Sequence, residues 1–196
     1  KEMFRSDVRA AQQRIEERWA RQGQGDSQIE VNRDMARASL ALFRGDFREA
    51  FDGCMRIDHR GPQKVHLNWA LVAALMLGER EAIESVAEAN EGSVRGALKD
   101  MRRNATRGAL AALDGDMAEA EARFEASNAS SDELWGPIYG GFTRLLAVKY
   151  LGMDHAVARE RALDTHRKWA EAGASNLLEL FADYLPPLDE SVADTA

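Results

Sequence analysis

Few side chains in this chain could do chemistry. There are four histidines, His59, His66, His155 and His166, and a single cysteine, Cys54. His155 and His166 fall on roughly one face of a helix, with Asp164 near them. That arrangement could hold a metal or move a proton, and ordinary polar surface is the simpler reading. Cys54 lies among apolar residues at helical spacing and reads as a small buried hydrophobe rather than a reactive thiol. Arg95, Lys99, Arg102, Arg103 and Arg107 make a broad basic face. It could take an anion or an acidic peptide, or it could be solvated and paired with Asp100 and Glu119. Gly136, Gly140 and Gly141 surround Tyr139 and mark a close approach, either by a neighbouring helix or by a partner backbone. No phosphate-binding Gly-rich loop ending in Gly-Lys-Ser/Thr occurs, and no Gly-x-Ser-x-Gly, His-Glu-x-x-His or Cys-x-x-Cys. The paired Glu-x-x-His of helical di-iron sites is missing too. The expectation is a chain without catalytic residues, cofactor or metal, and not an enzyme.

Composition narrows the class. The 196 residues carry a net charge of −7, with 45% hydrophobic and 30% charged residues. That is a globular composition, long enough for one sizeable core. Net acidity argues against nucleic acid as a partner of this chain. One cysteine rules out an internal disulfide and fits a reducing, cytoplasmic setting. No apolar run is long enough to span a membrane. Only four prolines stand against abundant Ala, Glu, Arg and Leu, so helix is favoured in most windows.

The elements follow from apolar spacing and from breakers. Phe4, Val8, Ala11, Ile15 and Trp19 form one stripe, predicting an amphipathic helix over 3–21. GQGDSQ at 23–28 interrupts it, with Asp26 or Ser27 as a cap. Helices are expected over 29–43 and 47–57, ended by the HRGP stretch. The run 65–77 is apolar nearly all round and should lie between neighbours, and 79–89 returns from it. Ser93 should cap a long helix ending near Leu113. A helix over 117–126 should give way to a polar break at 127–133. Pro137 should open a helix to Tyr150, followed by 156–171. Ser175 should cap a last helix reaching Leu185, before an acidic tail.

Gly45, Gly78, Gly115 and Gly152 each stand between two helical stretches, at spacings of 33, 37 and 37 residues. A two-helix unit near that period is the signature of a helical solenoid. The corner favours glycine. Small residues such as Ala50, Ala82 and Ala120 let two helices approach, and Cys54, Val86 or Phe124 four positions later fills the gap to the next unit. On these residues, best over 101–134 through Gly108, Gly115, Asp116, Glu119, Ala120 and Phe124, the chain resembles the tetratricopeptide repeat family. In the last unit Val157 stands where that family usually has Ala. The end of the chain, with Trp169, Ala172-Gly173-Ala174 and Leu177-Leu178, resembles the C-terminal repeats of large bacterial signal regulators. Those join an ATPase module to a cyclase or a LuxR-type DNA-binding domain.

The resemblance implies an all-α, right-handed superhelical stack of antiparallel helix hairpins with about ten helices. Its expected divisions are an N-terminal helix at 1–22, four hairpins over 29–172, a capping helix at 173–185 and a disordered acidic tail at 186–196. It also implies a protein- or peptide-binding module regulating a larger bacterial signalling or transcription protein. A start at Lys1 rather than Met fits an excised piece. The alternatives are a free-standing scaffold that self-associates through its first or last helix, and a small-molecule sensor built on the aromatic 135–150 region. The motif register places Asn32, Met35, Ser39, Asn68, Val72, Arg102, Tyr139, Phe142 and Lys149 on the concave face as candidate partner contacts.

Overall fold

The computed structural model describes residues 10, 13, 14, 17, 27–57, 64–132 and 137–188. The side chains of 27–29, 131–132 and 137–140 are outside that description. Every regular element among the described residues is helical. The chain is therefore all-α. The expected first helix and its stripe lie outside the described residues, apart from Ala10, Gln13, Arg14 and Glu17, which are helical. The 23–26 loop, the HRGP stop and the tail beyond 188 lie outside them as well.

The helices are α1 Ser27–Phe43, α2 Phe47–Met55, α3 His66–Leu77, α4 Arg80–Glu91 and α5 Ala97–Leu113. They continue as α6 Met117–Asp132, α7 Pro137–Leu151, α8 Ala156–Glu171 and α9 Ser175–Leu180, with a 3-10 turn at Ala182–Tyr184. Each of these helices packs on the next. All four corner glycines take positive φ, between 72° and 93°. A left-handed residue lets the chain reverse while the last carbonyls of the helix stay bonded. Two corners seventy residues apart are built alike. Asp46 N–H donates to Ala41 O and Asp116 N–H to Ala111 O, both at 2.9 Å. Asp116 also accepts the Glu119 N–H, capping α6.

α3 touches α1, α5 and α7 in addition to its chain neighbours α2 and α4. Being surrounded explains its composition: His66, Leu67 and Ala70 through Leu75 are all buried. An aromatic belt crosses the molecule here. Phe43 meets Trp69 at 5.7 Å, Trp69 meets Phe142 at 6.0 Å, and Phe142 meets Trp169 and Phe181 at 5.5 and 5.6 Å. It joins the end of α1 to the residue after α9, and α9 itself touches α1.

Four local expectations are corrected. α5 starts at Ala97 with Gly96 as its cap residue, and Ser93 is buried beneath it, accepting from Arg102. α6 continues to Asp132, because Ser127 and Asn128 turn inward and the Ser127 hydroxyl bonds Met101 O at 3.0 Å. The last α-helix stops at Leu180, and Ala174 rather than Ser175 is its cap residue. Finally, Val157 is 36% exposed, and Ala158 is the small buried residue of the fourth pair. Met153 and Asp154 lengthen that corner, so the register slips by one.

Candidate functional site

The polar centre of the molecule is a side chain that cannot reach water. Arg102, on α5, is fully buried. Its Nε donates to Asn90 Oδ1 at 2.7 Å, and its Nη1 to Asn68 Oδ1 at 2.8 Å and Lys64 O at 3.3 Å. Nη2 reaches Ser93 Oγ at 3.3 Å. Burial pulls the guanidinium down to about 10, which still leaves it charged at neutral pH. Asn90 in turn donates to Lys99 O at 3.0 Å. One guanidinium thus fastens α3, α4 and α5 together.

This hub settles the orientation of Asn68. Guanidinium nitrogens only donate, so Asn68 must present its oxygen to Arg102 and its amide nitrogen elsewhere. That nitrogen is buried and has no acceptor among the described residues. Asn68 lies in the wall of a hollow of about 240 Å³. The remaining wall is Val65, Trp69, Leu71, Val72, Met101, Phe142 and Thr143. Most of that lining is apolar, and it is drawn from α3, α5, α7 and the residue before α3. An unmade buried hydrogen bond costs about 1–3 kcal/mol, and the mostly apolar lining of the hollow favours an apolar guest.

Of the concave-face candidates, Asn68, Val72 and Phe142 line this hollow, and Arg102 stands behind Asn68. Arg102 is corrected as a surface contact, because its whole side chain is enclosed. Ser39 is likewise corrected: it is buried, and its hydroxyl bonds Met35 O at 2.8 Å within α1. Asn32 is exposed and Met35 half-buried on α1, and neither lines the hollow. Lys149 is at the far end of α7, donating to Met76 O. Burial holds its ammonium below the usual lysine range. Beside it the Tyr150 hydroxyl donates to Leu75 O at 3.0 Å. The Tyr139 side chain lies outside the described residues. Trp69, Met101 and Thr143 were not singled out by the motif register. Trp69 is legible as the one Trp, Phe or Tyr in a mostly aliphatic helix; the other two carry no signal in sequence.

His59 lies outside the described residues, and His155 and His166 have separate partners. His155 accepts from the Ala158 N–H at the start of α8 and stands 3.4 Å from Glu121. His166 Nδ1 is 2.8 Å from Pro186 O. Among the described residues no three His, Cys, Asp or Glu side chains gather as metal ligands. Cys54 has no exposed surface, and burial pushes its thiol up to about 12. Gly141 marks a helix–helix approach, since a Cβ there would lie 2.7 Å from Thr165 Cγ2 and 2.9 Å from the Trp169 ring.

No family model, characterised protein or solved structure matches this chain. No described helix is long and apolar enough to cross a membrane. The hollow and its unpaired amide therefore have to be interpreted from their own chemistry.

Proposed function

We propose that the chain is a non-catalytic binding module, a stack of tetratricopeptide-like antiparallel hairpins, that takes an extended segment of a partner protein. The observation that carries this reading is the hollow of about 240 Å³, apolar in most of its lining, with Asn68 fixed in its wall by Arg102. A peptide offers apolar side chains at regular spacing along an extended backbone. An apolar side chain of Val or Leu size suits a space of about 240 Å³.

Recurrent geometry supports the hairpin stack. Ion pairs link one helix pair to the next at related separations. Arg48 meets Glu79 and Arg80 meets Asp114, 31 and 34 residues on. Arg161 grips Glu125 with two hydrogen bonds across 36 residues. Among the first helices of the pairs, α3 touches α1, α5 and α7, and α5 touches α7. On this reading the module regulates a larger bacterial signalling or transcription protein, as the resemblance of its C-terminal stretch implies.

Selection of a random peptide display library on the full chain tests the proposal. Peptides sharing one apolar residue should be enriched, and Val72→Trp, which fills the hollow, should abolish their binding. Enrichment that survives Val72→Trp unchanged, or no enrichment at all, would reject the site.

A further inference from the structure

A second hollow, of about 480 Å³, is lined by Glu91, Arg95, Lys99, Asp100, Arg103 and Arg107. Four cations face two carboxylates here, in a chain whose net charge is −7. The two carboxylates are already answered. Lys99 Nζ is 3.2 Å from Glu91 and Arg103 Nη2 is 2.6 Å from Asp100. Arg95 and Arg107 make no ion pair among the described residues. Arg103 Nε is buried and has no acceptor. Three guanidinium groups therefore hold donors that nothing described here uses. Next to them Val94 is 60% exposed, the most exposed large hydrophobic residue described.

We propose that this face binds an acidic peptide segment of a partner protein, at a site separate from the Asn68 hollow. Arg103 and Arg107 stand one turn apart on α5, about 6 Å along the helix axis, while Lys99 a turn before them is buried and held by Glu91. Alternate side chains of an extended peptide recur at about 6.6 Å. Carboxylates at alternate positions can therefore meet successive cations, while an apolar neighbour covers Val94. Arginine suits this task because its planar fork takes a carboxylate with two hydrogen bonds. Single-stranded nucleic acid also spaces its charges, but it draws much of its binding from aromatic stacking platforms. No residue lining this hollow is aromatic.

The test is fluorescence anisotropy on the full chain, with a labelled peptide of alternating Glu and Ala as the probe. Arg95→Gln with Arg107→Gln removes two exposed side chains and should weaken binding by about tenfold, one decade being about 1.4 kcal/mol. Raising salt from about 0.05 to about 0.5 M should weaken it several-fold, because the site is open to solvent. Arg103→Lys keeps the charge but loses the fork and should also weaken it. An excess of a peptide of alternating Leu and Ala should leave it unchanged, which separates this site from the hollow. Equal binding by the double variant overturns the proposal. So does equal binding of an alternating Lys and Ala peptide, tighter binding of a short oligothymidine, or no binding of the acidic probe.

Discussion

At the scale of single residues, the clearest prediction concerns Arg102. Its guanidinium satisfies oxygens of Asn68, Asn90, Lys64 and Ser93 inside the protein. Arg102→Leu keeps much of the volume but leaves those acceptors buried without a donor. Urea denaturation should show a loss of about 3 kcal/mol or more, each abandoned buried group costing about 1–3 kcal/mol. Arg102→Lys, with charge but no fork, should fall between the two. A near-neutral Arg102→Leu would mean the acceptors find other donors, and that Asn68 is not held in place. Cys54 gives a prediction with a sign. Its thiol titrates at about 12 when folded and near 9.0 when unfolded. Between those values the folded state holds the proton that the unfolded state releases, so stability falls as pH rises. It should be complete below pH 9 and decline by up to about 1.4 kcal/mol per pH unit above it. Cys54→Ala should flatten that decline in alkaline denaturation curves, and iodoacetamide should label native Cys54 only through unfolding.

At the scale of elements, glycines that look alike in sequence do different things. Gly115 has a φ of 82° with nothing within 4 Å of a would-be Cβ, so its constraint is conformational alone. Gly115→Ala should cost about 1–2 kcal/mol, the penalty of a left-handed residue with a side chain. Gly141 lies inside α7, where a Cβ would run into Thr165 and Trp169. Gly141→Ala should cost more, about 1–3 kcal/mol of overpacking on top of lost α7–α8 contact, and should shift Trp169 fluorescence. Equal melting temperatures for the two variants would contradict this division. The corners were legible because a left-handed turn all but demands glycine, whereas a break in composition is weaker evidence. SNASSDE reads as a loop, yet α6 continues within it to Asp132, because inward contacts of Ser127 and Asn128 outweigh low helix propensity. The same limit applies to the hollow. The motif register implied by the resemblance put Asn68, Val72 and Phe142 on one side, but that Arg102 would be enclosed and would hold Asn68 depends on how three helices meet. No local pattern records that.

At the scale of the whole molecule, the question is whether helices added in series behave as independent units. In an open stack each unit contacts only its neighbours, and damage at one end stays there. Here α3 touches α1, α5 and α7, α9 touches α1, and the aromatic belt runs from Phe43 through Trp69 and Phe142 to Phe181. The last helix is therefore coupled to the first described one. Phe181→Ala removes a fully buried ring, which should cost about 3–5 kcal/mol. The informative part is where the loss is felt. If the belt transmits it, hydrogen exchange should quicken in α1 and α3 together with α8, and tryptophan fluorescence and helical circular dichroism should unfold at one midpoint. If the chain unravels as an open stack, exchange should quicken only in α8 and α9, and the two probes should separate. Coincident transitions would also mean that a partner seated in the Asn68 hollow, among α3, α5 and α7, stabilises every helix at once by mass action.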